Sequence, residues 1–159
     1  MKKVAIIGSF QRSDNYAVVQ SLVSLLRDNG FRVTSPDGSS VVDKRDGFVV
    51  FSSDDSRLTN QKIQYDTLEK IFSADAVYVV NVGGYIGRTT CYEIGRVLER
   101  RQPLYFYSRP NDLPICLTEE FIITPNMFID IVSQSREVPL WLKCNSCKNM
   151  PICIGKANE

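Results

Sequence analysis

The residues with the greatest chemical reach lie between positions 83 and 93. Gly83, Gly84 and Gly87 fall within five residues and lead into a segment of helical period. Backbone N–H groups and the positive end of a helix can there face an anion or a sugar hydroxyl at close range. A tight strand-to-helix turn that needs positive φ would use the same glycines, and the local sequence leaves both readings open. Glu93 follows. In a helix that begins near Thr90 it sits in the first turn, where the helix dipole favours the ionised carboxylate, and a carboxylate held there can attack an anomeric carbon. Thr90-Cys91-Tyr92-Glu93 also has the T-x-x-E spacing of a capping box, in which Glu93 would only cap its own helix.

A second set of groups lies near the amino terminus. Gly8-Ser9-Phe10-Gln11-Arg12 offers a glycine for close approach, a hydroxyl and a guanidinium, a set suited to a phosphate or a ribose edge. It lacks the G-x-G-x-x-G dinucleotide fingerprint. Arg12 and Arg88 are the cations that would read an anionic ligand, and Gly84, Tyr85, Gly87, Thr89 and Thr90 complete the second loop. Asp66 falls in the middle of a helical segment, where it can donate a proton into the same cleft or pair at the surface with Lys62 or Lys70 at i±4. Tyr85 and Tyr92 can stack on a base or fill the core.

These groups need a scaffold, and the pattern of the chain supplies one. Short apolar runs alternate with longer segments of helical period, which predicts a parallel sheet covered by helices on both faces. Strands are expected at 3–7, 31–35, 76–80 and 103–107, and helices from the Val18, Leu22, Leu25, Leu26 run to Asn29-Gly30, at 59–72, at 90–101 and around 125–135. Residues 36–47 read as a polar loop before the apolar run 48–51. Open parallel sheets bind ligands outside the carboxyl ends of their strands, where the 8–12 and 83–89 loops fall. One α/β domain over 1–140 and a short Cys-bearing appendix over 141–159 are expected.

Composition narrows the chemistry. The 159 residues are 43% hydrophobic and 23% charged, with a formal net charge of +1, so nothing electrostatic points to nucleic acid. Four apolar residues between Lys3 and Gly8 are too few for a signal segment, and no window suits a membrane helix. A cytoplasmic protein without a membrane partner is expected. Histidine is absent, which excludes His general bases, His-containing triads and His-bearing zinc sites. Cys144, Cys147 and Cys153 have spacing suited to zinc or an iron–sulfur centre, with Cys116 as a distant fourth ligand; reduced thiols without metal are the alternative.

Ser73-Ala74-Asp75-Ala76-Val77-Tyr78-Val79-Val80-Asn81-Val82-Gly83-Gly84-Tyr85-Ile86-Gly87-Arg88-Thr89-Thr90-Cys91-Tyr92-Glu93-Ile94-Gly95-Arg96 closely resembles the signature stretch of the nucleoside 2-deoxyribosyltransferase-like family, which includes the 2′-deoxynucleoside 5′-phosphate N-hydrolases. The Gly8-Ser9 turn, the helix end at Gly30 and the strand start at Gln102-Pro103 extend the resemblance over about residues 3 to 107. It implies a flavodoxin-like or Rossmann-like open sheet and N-glycosidic bond cleavage or transfer on a nucleoside or nucleotide. It further implies Glu93 as nucleophile, no cofactor required for catalysis, and a homo-oligomer. Two positions depart from the pattern. Gly87 stands where the transferases carry aspartate and the N-hydrolases serine, and the base-handling aspartate would fall at Thr67, next to Asp66. A nucleotide-binding sensor without turnover and a metal- or redox-linked module are the rival readings.

Overall fold

The computed structural model describes residues 1–10, 12–36, 41–45, 48–51, 57–115 and 117–134. Four parallel strands form the main sheet: β1 (Lys3–Gly8), β2 (Arg32–Ser35), β5 (Ala76–Val80) and β6 (Leu104–Phe106), in the order β2-β1-β5-β6. β5 is central, and all five of its residues are buried, as its β-branched and aromatic composition predicts. The fold is therefore an α/β open parallel sheet. Strand order reverses between β1 and β5, whose registers pair Val4 with Ala76 through Gly8 with Val80. The crevice at the carboxyl ends of β1 and β5 is the switch point at which such sheets take ligands.

Helix α1 (Ser13–Asp28) connects β1 to β2. It closes as the Asn29-Gly30 signal requires: Gly30 has φ +79, its N–H donates to Arg27 O, and Phe31 N–H donates to Leu26 O, the paired bonds of a Schellman motif. Helix α2 (Asn60–Phe72) starts at Thr59, whose side chain accepts from Lys62 N–H at 3.2 Å. Helix α3 (Arg88–Glu99) follows β5, and α4 (Pro125–Gln134) follows β6. Right-handed crossovers put α1 on one face of the sheet and α2 and α3 on the other, and α2 touches α3. Phe128 of α4 packs against Tyr78 and Tyr105, which are paired in register on β5 and β6. Each such fully buried large side chain contributes about 1.5–3 kcal/mol.

Two expectations need correction. Residues 41–45 are not loop: β3 (Val41–Arg45) pairs antiparallel with β4 (Phe48–Phe51) in a separate two-stranded ribbon. A four-residue apolar run fits an antiparallel ribbon as well as a buried parallel strand, so periodicity alone does not say which sheet it joins. Helix α3 begins at Arg88, two residues before the expected Thr90, with Gly87 as its N-cap. The carboxyl-terminal appendix, with Cys144, Cys147 and Cys153, and the single position Cys116 lie outside the described residues.

Candidate functional site

The site is built where the β1 and β5 strands end. Gly8 is the last residue of β1, and a Cβ there would lie 2.5 Å from Val80 O, so only glycine lets the two strand ends approach this closely. The chain then turns, with Phe10 N–H donating to Gly8 O and Arg12 N–H to Ser9 O. After β5, a 3-10 turn at Val82–Gly84 carries Gly83 at φ +66 and Gly84 at φ +81. A Cβ on Gly84 would meet Arg109 O at 2.5 Å and the Asn111 side chain at 2.7 Å. Asn111 clamps this turn: its Nδ2 donates to Gly83 O, and its backbone N–H donates to Gly84 O.

Side chains bring the two loops together. A Cβ on Gly87 would lie 3.2 Å from Ser9 Oγ, so Ser9 and Gly87 face one another directly. The Arg12 guanidinium lies 5.0 Å from the Tyr85 ring centroid, a cation–π distance. Arg12 also forms a two-point ion pair with Asp14, at 2.8 and 3.2 Å. The hydrogen bond from Arg12 holds the Asp14 carboxyl below its usual range, and the same contact raises Arg12. Arg12 thus reaches the cleft with a carboxylate already attached. Arg88 and Tyr85 are exposed, Thr89 is half-buried and Thr90 is buried.

Glu93 does not sit where the capping reading put it. With Gly87 as N-cap, Thr90 is the third helical residue and Glu93 the sixth, so the capping box does not form, and no side chain caps α3. The dipole acts within the first turn, and Glu93 lies beyond it. The buried residues of α3 are Thr90, Glu93, Ile94 and Val97, which place Glu93 on the face toward the sheet. Because α3 runs antiparallel to the strands, its first half lies at their carboxyl edge. Glu93 is 8% exposed, and among the described residues no hydrogen bond or ion pair reaches its carboxylate. Burial pushes its pKa up from 4.5 to about 8, so the expectation that the helix dipole favours the ionised form is overturned by desolvation.

Asp66 lies on α2, paired with Lys62 at i+4, the surface pairing the spacing allowed. Among the described residues no hydrogen bond or ion pair joins it to Glu93 or to either loop. Tyr92 is 45% exposed, so it does not fill the core. A groove on the α1 side, lined by Ala17, Val18, Leu22, Leu25 and Tyr107 among others, contains none of the predicted site residues.

Two organising residues escape a motif search. Asn15 is fully buried; its Oδ1 accepts from Val82 N–H at 2.9 Å, and its Nδ2 donates to Ser9 O at 3.3 Å. One side chain thereby ties the first loop to the second. Asn81, also fully buried, does the same for the ends of β5 and β6, donating to Ser108 O at 2.7 Å and accepting from Ser108 N–H at 3.0 Å. Asn15 stands in line with Val19, Leu22 and Leu26 on the buried face of α1. A polar residue on an apolar stripe was the available signal.

Among the described residues no helix is long and apolar enough to cross a membrane, and no cluster of three acidic, cysteine or histidine side chains could hold a metal. No family model matches the chain, and no curated protein matches it.

Asp14 neutralises much of Arg12, so if the cleft takes a nucleoside 5′-monophosphate, Asp14→Asn is expected to bind it several-fold more tightly and to leave any nucleoside binding unchanged. The gain should shrink as salt rises, since the groups are exposed. Titration calorimetry at two ionic strengths measures this; an equal change for both ligands would mean that Arg12 reads no phosphate.

Proposed function

We propose that the chain is an N-glycosidic bond enzyme of the nucleoside 2-deoxyribosyltransferase type, acting on a nucleoside, a nucleotide or a related base–sugar compound. The observation that carries this reading is Glu93: a carboxylate in a desolvated position, unpartnered among the described residues, on the sheet-facing side of the helix that opens at the switch point. A structural carboxylate is ordinarily paired or solvated, whereas one kept for covalent chemistry must leave its oxygens available.

In this mechanism the Glu93 carboxylate attacks the anomeric carbon as the bond to the base nitrogen breaks. The departing electron pair stays on the base, which takes a proton from a water in the cleft; Asp66, expected as the donor, is held as a carboxylate by Lys62 and could serve only by orienting such a water. Water, or a second base in a transfer reaction, then attacks the same carbon, and the Glu93 carboxylate leaves. The 8–12 and 83–87 loops and the first turn of α3 hold the sugar and any phosphate, using Ser9, Arg12, Arg88 and the backbone around Gly84 and Gly87. The chemistry requires no cofactor.

A chromatographic screen for free base across ribo- and deoxyribonucleosides and their monophosphates tests the proposal. With a nucleophile raised to about 8, kcat/KM is expected to climb with pH and level off above about pH 8, because only the ionised form attacks. A profile that falls over the same range would make Glu93 a proton donor. Nucleotide binding with no base release from any substrate would leave a binding protein in place of an enzyme.

A further inference from the structure

The face of the sheet that carries α1 has an apolar groove that the chemistry above does not use. Ala17, Val18, Ser21 and Leu25 recur at helical spacing along α1 and form one wall. Tyr107, just beyond β6, and Pro125, the first residue of α4, form the other. The groove has a volume of about 370 Å³, within the range of pockets that bury an apolar ligand. Val18, Leu25 and Tyr107 are only partly buried, and α1 and α4 make few contacts with each other across the gap. Helices that share a face of a sheet ordinarily fill such a gap with their own side chains.

The chain itself leads to this groove. Helices α1 and α4 both run opposite to the strands and finish at the amino edge of the sheet. Arg32 N–H, shortly after α1, donates to Lys2 O, and the Lys2 ammonium donates to Val132 O near the end of α4. Chain leaving α4 at Gln134 therefore emerges on the side of the Leu25 end of the groove. The residues beyond Gln134 lie outside the described ones, but their order in the sequence is informative. A polar link, Ser135-Arg136-Glu137, precedes an apolar run, Val138-Pro139-Leu140-Trp141-Leu142. Pro139 opposes a helix there and biases Val138 toward extended backbone. At about 3.3 Å per residue the link spans about 10 Å, the usual separation of neighbouring helices. The apolar run spans about 15 Å, and α1 rises about 12 Å from Ala17 to Leu25.

We infer that the run 138–142 docks in the α1–α4 groove of its own chain, entering at Leu25 and setting Trp141 near Tyr107 and Pro125. Length, direction and polarity all match. A short tether gives the run an effective concentration of about a millimolar at the groove, so the chain's own segment outcompetes a second copy or an outside partner. Left uncovered, the run and the groove would each be an apolar patch open to association. Docking concerns the face opposite α3 and holds whether or not the chain cleaves glycosidic bonds.

Trp141 is the only tryptophan, so its fluorescence in the full chain reports the docked segment directly. The wild type is expected to emit at shorter wavelength than the urea-unfolded chain, and dilution from about 100 μM to about 1 μM should leave the emission unchanged, because the tether fixes the local concentration. Ala17→Glu and Ser21→Glu, made separately, put a charged, helix-compatible side chain at exposed positions of the groove wall. Each should shift the emission toward that of the unfolded chain while the circular dichroism stays that of the wild type. Leu142→Asp, in the segment itself, should give the same shift. Emission from the wild type at the unfolded wavelength would mean that Trp141 is not docked. A red shift on dilution would mean that a second copy supplies the segment. Emission unmoved by both groove variants would mean that the segment rests elsewhere. Each of these results would overturn the proposal.

Discussion

The Glu93→Gln variant is expected to lose base release entirely and to become more stable than the wild type at neutral and alkaline pH. Both effects come from one group. In the folded chain burial raises the Glu93 pKa from 4.5 to about 8, whereas in the unfolded chain the carboxyl titrates near its ordinary value. The folded state therefore holds a proton that the unfolded state has released. Stability from this group is complete below about pH 4.5, declines as pH rises, and is lost once pH passes about 8. Each pH unit in that window costs about 1.4 kcal/mol, so the wild type loses several kcal/mol from the most acidic condition to the most alkaline. Glutamine keeps the shape and removes the titration. Chemical denaturation at pH 5, 7 and 9 should show the two proteins diverging, with the variant ahead at high pH.

The sign separates function from architecture. If Glu93 served to cap its helix, its loss would destabilise the chain by about 0.5–2 kcal/mol and spare the chemistry. Gly87 stands at the N-cap, which already removes the geometry that capping needs. A group that destabilises the fold and has no described partner is retained for another reason, and sites commonly trade stability for activity. A Glu93→Gln protein that is less stable at every pH, or that turns over substrate at the wild-type rate, would remove Glu93 from the mechanism.

The parallel sheet was legible because β5 and β1 are continuous apolar runs with few alternative fates, and α1 because its stop signal is a chain-local glycine motif. The β3–β4 ribbon was not, because pairing partners are set by tertiary contacts that four or five residues do not encode. The start of α3 was misplaced for a related reason. Thr90 has the better capping side chain, but a Gly87 N-cap lets Ser9 occupy the space beside it, and packing between loops outweighed local propensity. Within the site, the glycines and Glu93 were visible as types and spacing. The environment of Glu93 was not, since burial without a partner belongs to the folded chain. Asn15 and Asn81 act through backbone groups distant in sequence, and no motif marks such contacts.

Asn15→Ala is expected to show how much the site depends on the joint between its loops. Truncation leaves Val82 N–H without its acceptor and removes one of the donors to Ser9 O, and it opens a cavity at a fully buried position. An unsatisfied buried donor together with the lost packing costs about 2–3 kcal/mol, which in a chain of this length lowers Tm by about 5–10 °C. The effect on base release should be larger than stability alone explains. Ser9 and Gly87 face each other only while the loops are held together, and a displacement of about 1 Å at a reacting centre can cost on the order of a hundredfold in rate. Asn15→Asp provides the control: it keeps the acceptor for Val82 N–H, loses the donor to Ser9 O and buries a carboxylate, so the half of the joint that matters can be read from the pair of variants. Assays well below the variant's Tm, with folding checked by circular dichroism, separate loss of position from loss of fold. If Asn15→Ala melts with the wild type and retains its kcat/KM, the two loops are held by their own backbones and Asn15 is an ordinary buried amide.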